Sequence, residues 1–321
     1  MIMDNTLEMK NVEVFFKTPE RNVRILRGIN LAVGKNESVA LAGESGSGKS
    51  MTALSAIRLL PKNLYVSGGE ITLRGQNVLA LPERELRRMR GTAAGMIFQE
   101  PSSYLNPLFT VGSQVAEAIK DRGADKKERV LEMLAEVELK SSVYYLYPHQ
   151  LSGGMQQRVM IAMALINSPA ILIADEPTTA LDATTAYGII ELLKRMMSRY
   201  GLSVLFITHD ISLAASFAGR IGVMYAGRIV EMSAAGNIEK NPLHPYTEKL
   251  MACLPERYQQ GEKIKTIEGA VPDFKDLPSG CPFHPRCPYR QDICMEKEPG
   301  ETVKGESIVR CYRYGKISKN G

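Results

Sequence analysis

The stretch GESGSGKS, residues 43–50, sets how the rest of the chain is read. It fits G-x-x-x-x-G-K-[ST], the spacing of a phosphate-binding loop. Gly43, Gly46 and Gly48 let the backbone curl until its N–H groups converge on phosphate oxygens. Lys49 reaches the β- and γ-phosphates, and Ser50 offers a hydroxyl to Mg²⁺. The flanks agree. SVALA at 38–42 reads as a buried strand, and Met51 to Leu60 as an amphipathic helix that Pro61 stops. The start of that helix adds its positive dipole end to the cradle. An ordinary glycine-rich turn needs neither flank. The nucleotide-binding segment is therefore Gly43, Glu44, Ser45, Gly46, Ser47, Gly48, Lys49, Ser50 and Met51.

Two further segments complete the chemistry. ILIADE at 171–176 is an apolar strand ending in two carboxylates. Asp175 is placed to hold Mg²⁺, directly or through water, and Glu176 is the candidate base for an attacking water. Paired acids at a strand end are often only a solvated loop, but beside a phosphate loop they acquire a task. LSGGMQQR at 151–158 puts Ser152, Gly153 and Gly154 just before a helix, which makes a second anion cradle. One nucleotide does not need two cradles from one chain. The second is expected to serve a nucleotide bound by a partner subunit.

Working outward, 321 residues suggest about two domains. A hydrophobic fraction of 44% is enough for a packed core and excludes a mostly disordered chain. The net charge of +5 is too small and too dispersed to indicate nucleic acid. The longest apolar run, Val159 to Ile166, falls far short of the roughly 18 residues that span a bilayer. The start, MIMDNTLEMKN, lacks the apolar core of a leader, so a cytosolic protein is expected.

Leu7 to Phe15 and Ile25 to Val33 alternate with period two and read as antiparallel strands. Short strands follow at Glu70 to Leu73 and Gly95 to Phe98, then a helical stretch over about 111–167. Ala170 to Ala174, a helix from Thr184 to Tyr200 and Ser203 to Thr208 form a strand–helix–strand unit of a parallel sheet. Ile221 to Tyr225 and Arg228 to Met232 read as a hairpin through Ala226-Gly227. After about Ala235 prolines become frequent and periodicity fades, apart from a helix at Tyr246 to Cys253. That tail is expected to be held by something other than a large apolar core.

The loop, LSGGMQQR and ILIADEP, in this order, resemble the ATP-binding subunit of an ABC transporter. The likeness covers residues 7 to about 235 and implies further roles. Gln99 in FQEP matches the family's Q-loop, which touches Mg²⁺ and water. Asp182 in ALD matches the D-loop. His209 in ITHD matches the switch histidine on the γ-phosphate. Phe16 falls where the family stacks an aromatic on adenine, although Phe15 and Phe16 also suit a plain strand packing pair. The implied fold is α/β: a P-loop NTPase cassette over 1–235 with a mixed core sheet, an antiparallel subdomain and a helical subdomain at about 100–168. The implied activity is ATP hydrolysis by two such subunits, which sandwich ATP between the P-loop of one and the LSGG segment of the other. The implied partners are two transmembrane permease subunits, a second ATP-binding subunit (a paralogous chain or a second copy) and, indirectly, an extracytoplasmic solute-binding protein. The implied place is peripheral, on the cytoplasmic face of the membrane. A soluble ABC ATPase acting on DNA or ribosomes is the alternative; it commonly carries two cassettes or coiled coils, which this chain lacks.

NPLHPYTEKLMACLP at 241–255 and GCPFHPRCPYRQDIC at 280–294 narrow the resemblance to importers of the oligopeptide/dipeptide/nickel group. The implied cargo is di- or oligopeptides, with nickel or another small solute as alternative. Four of the five cysteines, Cys281, Cys287, Cys294 and Cys311, crowd this tail over 236–321. In a reducing compartment that favours metal over disulfides. Four thiolates suit zinc or a 4Fe–4S cluster, and no CxxC pair of a zinc ribbon is present. The resembled group is associated with a 4Fe–4S cluster here; zinc and no metal stay open. Cys253 and His284 are read as bystanders.

Overall fold

A computed structural model describes residues 5–121, 125–179, 181–259, 262 and 265–315. Residues 1–4 of the stretch read as leaderless, Ala180 of the ALD triplet and parts of the tail lie outside the described residues. The strands are β1 (Asn5–Lys17), β2 (Asn22–Gly34), β3 (Ser38–Ala42), β4 (Leu64–Leu73), β5 (Gln76–Asn77), β6 (Ala94–Ile97), β7 (Ile171–Asp175), β8 (Ser203–Thr208), β9 (Arg220–Tyr225), β10 (Arg228–Ala234), β11 (Thr302–Lys304) and β12 (Ser307–Val309). The chain divides into two compact units. One comprises Met1–Glu8, Ala32–Glu37 and Thr72–Ile207; the other comprises Met9–Leu31, Ser38–Ile71 and Thr208–Gly321.

In the first unit β6, β7 and β8 run parallel, with Ala94 beside Ile171 and Ile171 beside Ser203. Every residue of β7 and β8 is buried, which is why both read as unbroken apolar runs rather than alternating ones. The expected helical stretch resolves into helices Val111–Ala118, Lys126–Glu136 and Gly153–Leu165. The apolar spacing over Arg129 to Leu139 predicts a start at Arg129 for the middle one, which begins three residues earlier, at Lys126. Asp125 explains the difference: its carboxylate accepts from the Lys127 and Glu128 N–H groups at 2.9 and 3.2 Å. The long helix Ala183–Tyr200 ends on Gly201 at φ 59°, a left-handed stop.

In the second unit β3, β9, β10, β12 and β11 lie side by side in that order. β3 and β9 are parallel and the remaining pairs antiparallel. The β9–β10 hairpin turns through Ala226 and Gly227 at φ 45° and 76°, the left-handed pair that a two-residue turn demands. Gly227 is required twice over, because a Cβ there would meet the Ile25 carbonyl at 2.1 Å. Most of β1, β2 and β4 also belongs here, in a separate sheet in which β1 lies between the other two.

The tail joins this unit through β12, which pairs with β10, and through an aromatic cluster. Tyr225, Tyr246 and Phe283, each at most 1% exposed, bring their ring centres within 4.7–5.4 Å of one another. Burying one such ring contributes about 1.5–3 kcal/mol. Under the cluster, the buried Glu231 carboxylate accepts from the Leu243 and His244 N–H groups, both at 2.8 Å. His244 Nδ1 accepts from the Tyr246 N–H and so caps the helix Pro245–Ala252. Among the described residues, no helix is long and apolar enough to cross a membrane.

Candidate functional site

The phosphate loop lies in the second unit. It leaves β3 through Gly43 at φ 150°, where a Cβ would stand 2.3 Å from the Met224 carbonyl. Gly46 and Gly48 take φ 76° and 104°, and the helix Lys49–Ala56 starts directly after. The positive φ values turn successive N–H groups toward one concavity, the backbone form of an anion nest. Ser45 and Gly46 are exposed at the rim, while Ser47 and Lys49 are buried at 0% and 4% exposure. Lys49 Nζ donates to the Gly43 and Glu44 carbonyls at 2.9 and 3.0 Å. Ser47 Oγ is buried without a hydrogen-bond partner among the described residues, which fits a loop built to meet a polar ligand. Ser50 and Met51 follow half-buried in the first turn. Phe16 stands half-buried on β1; its neighbour Phe15, not Phe16, stacks on Tyr65 at 6.2 Å. His209, exposed just after β8, precedes Asp210, whose carboxylate caps the next helix by accepting from the Leu213 N–H at 3.0 Å.

The carboxylates lie in the first unit. Asp175 ends β7 at 6% exposure. Glu176 follows at φ 46°, a left-handed conformation that costs a non-glycine residue about 1–3 kcal/mol. It is held there by its N–H, which donates to the Ile207 carbonyl at 2.9 Å. One carboxylate oxygen of Glu176 accepts from Gln99 Nε2 at 3.1 Å and from Thr179 Oγ1 at 2.8 Å. The structure thus joins two residues that the sequence placed 77 positions apart. Thr179 is an addition: its only sequence signal is its place three residues beyond Glu176.

The second cradle, also in the first unit, opens the helix Gly153–Leu165. Ser152 is its N-cap, accepting from the Met155 N–H at 3.4 Å, and Ser152 and Gly153 are exposed. Asp182 caps the helix Ala183–Tyr200 by accepting from Thr185 through both its N–H and its hydroxyl, at 3.0 and 2.6 Å. The Thr185 hydroxyl, then its N–H, lowers the Asp182 carboxyl below its ordinary range. Thr185 also stands against Gly154, where a Cβ would meet its methyl at 2.5 Å. Only glycine lets these two helix starts approach so closely.

The four tail thiols, Cys281, Cys287, Cys294 and Cys311, line a single pocket of about 20 Å³, together with His284. Cys253 does not line it. All five cysteines are free. Burial, above all, pushes Cys281 up to about 12 and raises Cys287 and Cys311, which favours the protonated form of these three thiols. The donor chemistry fits zinc or iron–sulfur. The spacing does not form a finished site: among the described residues no group of three or more His, Cys, Asp or Glu is arranged to hold a metal ion. A pocket of that volume accepts about one water. Ligation would need the tail loops to rearrange.

Comparison with known proteins decides the family. Residues 26–179 match the ABC transporter family and residues 230–294 the oligopeptide/dipeptide transporter C-terminal region. The chain is 44% identical to a protein of Sinorhizobium fredii named "Probable peptide ABC transporter ATP-binding protein", over 98% of this chain and 96% of that one. It is 42% identical to the dipeptide transport ATP-binding protein DppD of Bacillus subtilis, over 97% and 95%. The chain belongs to the ABC transporter ATP-binding family. Solved ABC structures agree in fold. An ATP-binding cassette solved as a dimer in a post-hydrolysis state with ADP and Pi superposes with a TM-score of 0.65 at 35% identity, covering 71% of this chain and 98% of that one. The cbiO1 protein of Clostridium perfringens, part of the ABC transporter complex cbiONQ, gives 0.64 at 25% identity, over 73% and 90%. Two tail residues quoted from the sequence without a role, Tyr246 of HPYT and Arg286 of FHPRCP, touch the phosphate loop of this ABC chain at Glu44.

Proposed function

We propose that this chain is the ATP-hydrolysing subunit of a membrane importer for di- and oligopeptides. The match of residues 230–294 to the oligopeptide/dipeptide transporter C-terminal region, in a chain that also carries an ABC ATPase, carries this conclusion. The peptide and dipeptide transport proteins to which the chain is related support the cargo.

ATP is the substrate. The N–H groups of residues 43–51 take its phosphates, with the Lys49 ammonium opposing their charge. Phe16 stacks on the adenine. Glu176 takes a proton from the attacking water as that water adds to the γ-phosphorus and the bond to the bridging oxygen breaks, releasing ADP and phosphate. Gln99 and Thr179 fix the carboxylate for this step, so positioning does much of the work. His209 contacts the γ-phosphate. Ser152, Gly153 and Gly154 offer their cradle to the nucleotide of a second ATP-binding subunit, and Asp182 lies beside that cradle through Thr185. Ser50, Gln99 and Asp175 are the residues that would hold Mg²⁺, which, when bound, neutralises charge on the phosphates.

The cassette spans 1–235, with a helical subdomain at about 100–168, and 236–321 is an appended tail. The subunit sits peripherally on the cytoplasmic face of the membrane. It pairs with a second ATP-binding subunit and two permease subunits, and a solute-binding protein feeds them from outside. Cys281, Cys287, Cys294 and Cys311 are the residues that would hold a 4Fe–4S cluster, with zinc as the alternative, once the tail loops rearrange around it. Their convergence on one pocket, without Cys253, supports this.

Uptake of labelled dipeptide by the reconstituted transporter, with Ni²⁺ uptake as the competing arm, tests the cargo. Dipeptide uptake that stops with Glu176→Gln is expected; Ni²⁺ uptake alone would overturn it. Iron and acid-labile sulfide in anaerobically purified protein test the cluster, and one equivalent of zinc without iron would sink it.

A further inference from the structure

We propose that Arg286 is a positioning residue for the phosphate loop: with Tyr246 it grips Glu44, so that the C-terminal tail sets how tightly the loop takes nucleotide phosphates. This rests on residues 43–51 being the ATP site.

Arg286 has a side chain only 5% exposed. A guanidinium that deep needs its donors met. Nη1 donates to Glu44 Oε2 at 2.8 Å and Nη2 to Glu44 Oε1 at 3.0 Å, a two-pronged pair between planar groups. Nε donates to the Glu268 carbonyl at 3.0 Å. The guanidinium also lies over the rings of Tyr225 and Phe283, 5.8 and 6.0 Å from their centres. The aromatic cluster therefore fixes the plane of the fork, and the fork fixes the carboxylate. Glu44 supplies the only charge compensation among these contacts. Its removal leaves a buried cation with neutral partners.

Glu44 is held from three sides. Its N–H donates to the Tyr246 hydroxyl at 2.8 Å, its carboxylate takes Arg286, and its carbonyl accepts from Lys49 Nζ at 3.0 Å. A phosphate draws the Lys49 ammonium toward itself and competes for that last bond. The two tail contacts then remain to keep Glu44 in place. The restraint matters because Gly43, Gly46 and Gly48 make the loop backbone unusually free when untethered. A loop ordered in advance does not give up that freedom on binding, so its affinity is higher. The consequence falls on nucleotide affinity rather than on the hydrolytic step, since both tail contacts are made to Glu44 of the phosphate loop.

The test measures ATP KM and kcat in the assembled transporter, with nucleotide binding to the full-length chain alongside. Arg286→Ala is expected to raise KM about tenfold, the scale of a lost charge-assisted pair, with kcat within about twofold. Arg286→Lys, a point charge without the fork, falls between that variant and wild type. Glu44→Gln matches Arg286→Ala, and the double variant is no worse than either single one. Tyr246→Phe raises KM about threefold. An unchanged KM in folded Arg286→Ala, or single effects that multiply in the double variant, would overturn the proposal. Should Arg286→Ala not fold, Arg286→Lys, which keeps the charge and loses the fork, carries the same decision. Lys49→Ala separates the premise: if it binds ATP as wild type does, the ATP site itself is misassigned, whatever Arg286 does.

Discussion

The phosphate loop and the cysteine-bearing tail meet at Glu44 but are built on opposite plans. The loop is local. Eight consecutive residues supply the turn, the cation and the hydroxyl, and three glycines supply the backbone shape. The tail is assembled from distant pieces: Phe283 against Tyr225 and Tyr246, β12 against β10, and thiols from 281 to 311 around one pocket. A local motif can lose its chemistry and keep its fold. An assembled one loses stability first.

This contrast can be broken at several points, taken from the largest expected effect to the smallest. Glu176→Gln in the assembled transporter is expected to lower ATP turnover by about 10²–10⁴ with an unchanged melting curve. Turnover like wild type would remove Glu176 from its role. Phe283→Ala is expected to cost about 3–5 kcal/mol of stability, read as a shift in the urea midpoint, with kcat per folded molecule little altered. A large kcat loss at full stability would merge the two regions into one. Gly43→Ala belongs to both. At φ 150°, with a Cβ 2.3 Å from the Met224 carbonyl, it is expected to cost about 1–3 kcal/mol and to weaken ATP binding together.

The effect that is smallest near neutral pH is a pH dependence. Burial, then the nearby Arg313, pushes His244 from 6.5 down to about 3. The unfolded chain therefore binds this proton more readily than the folded one. The stability that neutral His244 protects is fully present above about pH 6.5 and is lost as pH falls toward 3. His244→Gln should flatten the urea-midpoint slope across that window. Parallel slopes for the two proteins would show that another group governs it.

Much of the cassette was legible because its signals are short-range. Ser203 to Thr208 appears as a strand over just those residues, since both faces are buried and the run is unbroken. Ala226-Gly227 turns as its residue types require. The helix after the phosphate loop was displaced: it runs Lys49–Ala56 rather than Met51–Leu60, because it begins inside the loop motif itself. β11 and β12 were missed, for TVK and SIV are too short to show a period and are strands only because β10 offers an edge. Glu44 reads in the sequence as one residue of the nucleotide-binding segment, with no sign of a role toward the tail. Nothing near it in sequence announces Arg286, 242 residues away. Gln99 gains a role in the sequence only by resemblance, and its bond to Glu176 shows only once the fold brings residues 77 positions apart together.

The pairing of β12 with β10 has a consequence for biosynthesis. Ser233 and Ser307, which share a 2.6 Å hydrogen bond across these strands, stand 74 positions apart. While the intervening chain is still being made, β10 presents a row of unpaired backbone donors and acceptors to whatever is nearby. Until Ser307 to Val309 leave the ribosome, the cell must shield that border by other means. Nascent chains cut short before it are then the forms most inclined to stick to one another.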